Sequence, residues 1–182
     1  LKLGIDNQDI EAIKTVYNGV LRDSANQFYD SKFDIAKLSN IKNDAIKSIL
    51  SAKLLEAQNR GISISVEIDE PVSNFRIELL DFITVLSVLC DNAIEATIKA
   101  TSPRMTVVFI NNDDSLVLIV ENSIKSEKVD VSHIFARGYS SKGEGRGLGL
   151  HNVNSVLEKY PKSTITTRSA NHLFSQTIRF CK

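Results

Sequence analysis

The chain has 182 residues, 42% hydrophobic and 24% charged, which is ordinary for a globular protein and enough for one sizeable domain or two small ones. Its 22 basic and 22 acidic residues cancel, so the basic footprint of a nucleic-acid binder is absent and no nucleic-acid partner is expected. Cys90 and Cys181 are far apart, without metal-ligand spacing, and suit a reducing compartment. No apolar run is long enough to cross a bilayer and no signal peptide shows. The chain starts at Leu1 and its single methionine is Met105, so a piece of a longer protein is expected.

Ile10, Ile13, Val16, Tyr17, Val20 and Leu21 recur at three- and four-residue steps behind Asp9, a plausible N-cap. After a polar break at residues 29–34, a second helical run carries Ile41, Ala45, Ile49, Ala52, Leu55 and Ala57, and closes on Gly61 after Arg60. Two helices with a short polar connection predict an antiparallel hairpin over residues 1–60. Such a hairpin has little core of its own and is expected to pair with a second copy as a four-helix bundle.

Past Gly61 the period changes. Ile62, Ile64, Val66 and Ile68 alternate with polar residues as in a half-buried strand, which Pro71 ends. Helical spacing returns over residues 77–99, with Leu79, Phe82, Ile83, Leu86, Leu89 and Ala93 inward. Strand patterns at 105–110 and 116–120 flank Asn111-Asn112-Asp113-Asp114, which has the chemistry of a hairpin turn. Residues 123–146 show little periodicity, and a loop that long inside a compact domain reads as a lid. A short helix over 148–159 stops before Pro161, and strands at 164–168 and 174–180 complete the pattern. The order β-α-β-β-lid-α-β-β predicts an α+β two-layer sandwich over residues 61–182.

Two motifs carry chemistry. In Lys142-Gly143-Glu144-Gly145-Arg146-Gly147-Leu148-Gly149-Leu150, four of the eight glycines fall within seven residues just ahead of a helix. Residues without a Cβ let backbone N–H groups approach a ligand, and a helix N-terminus favours anions. Lys142 and Arg146 add positive charge there. Upstream lies Asp91-Asn92-Ala93-Ile94-Glu95-Ala96. The amide oxygen of Asn92 is a hard, neutral ligand that suits Mg²⁺ and leaves coordination positions for water and phosphate oxygens. Singly, the first motif reads equally as a flexible turn and the second as a polar helix patch. Together they supply the parts of a Mg-nucleotide pocket.

In order, Asp91-Asn92-Ala93, Phe135 and Gly145-x-Gly147-x-Gly149 resemble the N box, F box and G2 box of the Bergerat (GHKL) ATP-binding fold. Sensor histidine kinases, type II topoisomerases, a heat-shock chaperone class and mismatch-repair ATPases share that fold. The phrases LCDNAIEA and YSSKGEGRGLGL resemble one branch, the peptide-pheromone (quorum-sensing) receptor kinases of Gram-positive bacteria, the AgrC/ComD kind. The resemblance covers about residues 35–182 and implies ATP and Mg²⁺ as cofactors. Asn92 would hold Mg²⁺ on the ATP phosphates. Lys142 and Arg146 would contact phosphates, and the amides of Gly145, Gly147 and Gly149 would cradle them, with Leu148 in the same cofactor-binding stretch. Phe135 and Tyr139 would belong to the lid.

The chain departs from that pattern at three places. Where most kinases of the fold carry Asp-x-Gly-x-Gly, with the Asp on the adenine amine, the segment reads Val120-Glu121-Asn122-Ser123. An amide oxygen or a carboxylate could accept from that amine, and the resemblance favours Asn122 over Glu121. Glu95 replaces the usual N-box Lys, and Lys99, one turn on, could supply the charge instead. Val88 stands where hydrolytic members place a general-base Glu, so water attack on ATP should be slow. Phosphoryl transfer to a protein side chain needs no such base.

His133, His151 and His172 all lie outside the N-terminal helices and read as structural or solvated. The resemblance therefore implies a phosphoacceptor His before Leu1. It implies the cytoplasmic kinase portion of a two-component receptor anchored in a membrane, a homodimer through the N-terminal helices, and a response-regulator receiver domain as partner. A hydrolytic ATPase, a non-catalytic dimerisation module and a serine/threonine anti-sigma kinase are the alternatives.

Overall fold

A computed structural model describes residues 36–132, 134 and 149–182. The first helix expected from the sequence and its polar connection lie outside these residues. Helix α1 spans Asp44–Asn59 and begins where the side chain of Asn43 accepts the Ile46 N–H. It ends in a Schellman motif: Gly61, at φ +74°, donates to the Gln58 carbonyl and Ile62 donates to the Ala57 carbonyl.

The inward face of α1 is Ile46, Leu50, Leu54 and Ala57, while Ala45, Ala52 and Leu55 point outward. The apolar face read from the sequence is therefore rotated by about one position. Residues from Lys37 onward form one compact unit with the sheet, and α1 buries its apolar face in the sheet's core. A short parallel bridge between Ile41 and Val72 ties the approach to α1 into that unit, through Lys42 N–H to Val72 O and Val72 N–H to Asn40 O. Helical periodicity shows which face is apolar but not which neighbour covers it.

Strand β1 (Ser63–Ile68) pairs parallel with β2 (Arg104–Asn111). β2 pairs antiparallel with β3 (Ser115–Ser123), β3 with β5 (Leu173–Cys181), and β5 with β4 (Thr164–Ala170). The five-stranded mixed sheet thus has the order β1-β2-β3-β5-β4. In the β2–β3 turn, Asn112 Oδ1 accepts from Asp114 N, Ser115 N and Ser115 Oγ, as its turn chemistry predicts. The β4–β5 turn is Asn171-His172, both at positive φ, the two-residue arrangement whose twist matches a hairpin.

One sheet face packs on helices α1, α2 (Leu79–Thr97) and α3 (Gly149–Leu157). Met105, Val107 and Phe109 of β2, Leu116, Leu118 and Val120 of β3, and Ile178 and Phe180 of β5 point into this layer. Phe82 of α2 is the hub of the core. It is fully buried, with ring centres 4.7 Å from Phe75, 5.4 Å from Phe180 and 6.3 Å from Phe109. Leu79, expected inward, is 39% exposed at the first turn of α2. Burial pushes the Cys90 thiol up to about 12, which leaves it an inert core group at neutral pH.

The segment expected to be lid from residue 123 starts as structure. β3 extends through Ser123, and residues 124–129 are pinned to the β4–β5 hairpin. Ile124 N–H donates to His172 O, His172 N–H to Glu127 O, and Val129 N–H to Ser169 Oγ.

Candidate functional site

Asn92 lies on α2, five residues before its end, with Ala93 and Ile94 beside it in the core. Its Nδ2 is buried and has no hydrogen-bond partner among the described residues. Leaving a buried donor unpaired costs on the order of 1–3 kcal/mol, so this N–H suits an acceptor from beyond the described residues. Gly149, the last residue of the glycine motif and the first of α3, lies against this point. A Cβ on Gly149 would sit 3.1 Å from Val88 Cγ1, and 3.9 Å and 4.0 Å from the two polar atoms of the Asn92 amide. Two motifs 57 residues apart in the chain (149 minus 92) thus meet where α2 and α3 pack. Val88, one turn before Asn92, faces the same glycine with a methyl group and has no atom able to accept a proton.

Asp91, adjacent to Asn92, is engaged elsewhere. Its carboxylate accepts from the Lys53 ammonium of α1, which also lies 3.7 Å from Glu56. The bond to Asp91 holds the Lys53 ammonium above its ordinary pKa. Sequence reasoning missed Lys53, because 38 residues of separation leave no local signal for the pair. Glu95 and Lys99 are exposed, Lys99 lying just past the end of α2.

At the far end of β3, the alternation of the strand separates the two candidates for the base. Asn122 falls in the helix-facing series with Leu116, Leu118 and Val120, and is 3% exposed. Glu121 falls in the opposite series and is half-buried. The neighbours of Asn122 across the sheet are Met105 and Phe174.

Phe135, Tyr139, Lys142, Gly145, Arg146, Gly147, Leu148 and His133 lie outside the described residues. Of the remaining histidines, His151 is on α3 and half-buried. His172 sits in its turn, where Nδ1 lies 3.2 Å from the Lys125 carbonyl oxygen.

Among the described residues, no group of three His, Cys, Asp or Glu side chains could hold a metal ion. Among the described residues, a cation at Asn92 would find one amide oxygen, to be joined by water and the oxygens of its ligand. That donor set fits Mg²⁺, which keeps several waters and shares phosphate oxygens.

A second polar cluster fixes the opposite end of the α2–α3 pair. Tyr160 Oη donates to Asp81 Oδ2 at 2.6 Å and accepts from the Glu78 N–H at 3.2 Å, and Lys159 Nζ reaches Asp81 at 3.0 Å. The Tyr160 hydroxyl, with Lys159, holds the Asp81 carboxyl below its usual value. Burial and the bond to Asp81 push the Tyr160 phenol up.

A family model described as the GHKL domain matches residues 77–181. The chain is 28% identical over 164 residues to the sensor protein CitS of Bacillus subtilis, and 30% identical over 144 residues to the sensor histidine kinase DcuS of Escherichia coli. These alignments take in 87% and 76% of this chain but only 28% and 26% of the relatives' lengths, so the chain spans about a quarter of each. Among solved structures, the fold is similar to the catalytic domain of the histidine kinase ThkA, with a TM-score of 0.65 at 19% identity over 77% of this chain and 93% of that one. It is also similar to the histidine kinase AdeS of Acinetobacter baumannii, with a TM-score of 0.58 at 17% identity over 98% and 90%. The family match takes in every strand but β1, together with both helices that meet at Asn92, and the chain belongs to the GHKL domain family.

Proposed function

We propose that this chain is the nucleotide-binding catalytic part of a sensor histidine kinase. It binds Mg-ATP and passes the γ-phosphoryl group to a histidine upstream of Leu1, from which a response-regulator aspartate receives it. The observation that carries the reading is the meeting of Gly149 with the Asn92 amide, whose buried Nδ2 has no partner among the described residues. In this reading Asn92 holds the cation. Mg²⁺, when bound, supplies charge stabilisation to the transferring phosphoryl group. Gly149 keeps the α2–α3 junction open to the phosphates, and Asn122 offers an acceptor to the base. Val88 leaves no general base for water at the turn before Asn92, which favours transfer to a protein nucleophile over hydrolysis.

The names of the curated relatives, a sensor protein and a sensor histidine kinase, support the same class. Pairing of two copies through the N-terminal helices and attachment to a membrane receptor are part of the proposal. A finer reading, a receptor of the peptide-pheromone kind, rests on LCDNAIEA and YSSKGEGRGLGL.

The test uses a longer form of the chain that includes the upstream histidine, incubated with Mg²⁺ and γ-labelled ATP. The expected result is acid-labile, base-stable label on the protein, with phosphate release near background. Sustained phosphate release without labelling would instead favour a hydrolytic ATPase. Absence of saturable nucleotide binding would favour a degenerate dimerisation module.

A further inference from the structure

A cleft of about 400 Å³ opens at the end of α2 away from Asn92. Its lining includes Arg76, Ile77 and Glu78 ahead of α2, Tyr160 after α3, and Cys181 and Lys182 at the end of β5. The N-terminus of α2 has no side-chain cap and adds positive potential there.

Arg76 is unusual in two independent ways. Its backbone sits at φ +67°, where a Cβ crowds the following carbonyl oxygen. The other side-chain-bearing residues at positive φ are Asn171 and His172, types that favour that region, in a hairpin turn. At Arg76 the conformation is secured by Asn74, whose Oδ1 accepts the Arg76 N–H at 2.9 Å. Arg76 is also the only arginine among the described residues that is not exposed, yet no carboxylate among them lies within 4 Å of its guanidinium. Nη2 donates to the carbonyls of Asn112 and Asp113 in the β2–β3 turn, at 3.1 Å and 3.4 Å. Nε is buried without a partner among the described residues, and Nη1 donates to none of them. A half-buried cation that is fixed in place but not neutralised attracts a negative charge more strongly than one in open water.

We propose that this cleft binds a carboxylate group, carried by a small organic acid or by an acidic side chain of a protein partner. The planar guanidinium of Arg76 matches the two oxygens of a carboxylate. It is already held by the β2–β3 turn, so it loses little freedom on binding. Arg76 and Lys182 against Glu78 leave one net positive charge in the lining, which suits a monoanion better than a dianionic phosphate. The Tyr160 hydroxyl already donates to Asp81 and accepts from the Glu78 N–H, so it shapes the wall and leaves the hydrogen bonding to Arg76 and Lys182. Ile77, packed against the core, gives apolar surface to the body of the acid.

The experiment follows the Arg76 Nε–H and the backbone amides of Ile77 and Cys181 by NMR in this chain without nucleotide. The probes are butyrate, butyramide, inorganic phosphate and the peptide acetyl-Ala-Glu-Ala-amide. Butyrate should shift all three signals saturably, with a midpoint at about 1 mM, ordinary for so small a ligand. Butyramide should leave them still, and phosphate should bind about tenfold more weakly than butyrate. Arg76→Gln should weaken butyrate about tenfold or more. Lys182→Gln, at an exposed position that leaves the turn contacts of Arg76 intact, should weaken it about threefold. A peptide that binds more tightly than butyrate identifies a protein partner as the source of the carboxylate, and one that binds more weakly identifies a free acid. The proposal is overturned by the absence of a saturable shift with both butyrate and the peptide, by an equal response to butyramide, by tighter binding of phosphate, or by unchanged butyrate affinity in both variants.

Discussion

Asn92→Ala should abolish Mg-ATP binding without destabilising the ligand-free protein. Asn92 Nδ2 is buried with no partner among the described residues, so its removal breaks no hydrogen bond within them and relieves a desolvated donor. The transition temperature without nucleotide should therefore stay level or rise, the pattern expected where a site is kept polar for function. Binding should fall by about 100-fold or more, since even an indirect partner of a bound metal is worth 10- to 100-fold. At nucleotide concentrations 100 times the wild-type Kd, ligand should add about 2.7 kcal/mol to the stability of wild type. The same addition should leave the variant nearly unmoved. Thermal scans with and without Mg-ATP check both halves. A variant that melts early without ligand, or one still stabilised by it, contradicts the assignment.

The largest effect on stability is expected at Phe82. Its ring is fully buried and contacts three others, from the segment before α2, from β2 and from β5. Phe82→Ala removes that ring from a point where four parts of the unit meet, and surrounding groups anchored in the sheet have little freedom to close the gap. The loss should be about 3–5 kcal/mol, a large share of the roughly 5–15 kcal/mol that holds a domain folded. The transition temperature should drop by about 10 °C or more. Leu80→Ala, two residues away but at a side chain 75% exposed, should change stability by less than about 0.5 kcal/mol. Urea unfolding of the two variants separates them, and comparable midpoints would refute the placement of Phe82 at the hub.

The sequence foretold the elements more fully than their partners. Alternation at Ile64, Val66 and Ile68 and the side-chain chemistry of Asn112 act over a few residues, and the strand and the turn formed where that local physics pointed. The same alternation places Asn122 inward and Glu121 outward in a strand that reaches Ser123. The place of α1 was not readable. An apolar stripe is equally suited to a bundle partner or to a sheet, and only the three-dimensional arrangement shows Ile46, Leu50 and Leu54 in the sheet's core.

Long-range polar pairs were invisible for a related reason. Lys53 with Asp91, Tyr160 with Asp81 and Thr97 with Ser123 are 38, 79 and 26 residues apart, and neither member of any pair is unusual in its own segment. The convergence of Asn92 with Gly149 was inferred from what each motif could do chemically, and the packing of α2 on α3 brings them together.

The most direct measurement is an NMR titration of this chain with adenylyl-imidodiphosphate, with and without Mg²⁺. The side-chain amide of Asn92 and the backbone amide of Gly149 should shift together, saturate at the same nucleotide concentration, and do so fully only when Mg²⁺ is present. Saturable binding that leaves both signals still, or that moves groups around Arg76 and Tyr160 at the opposite end of α2 instead, would contradict a shared phosphate and metal site.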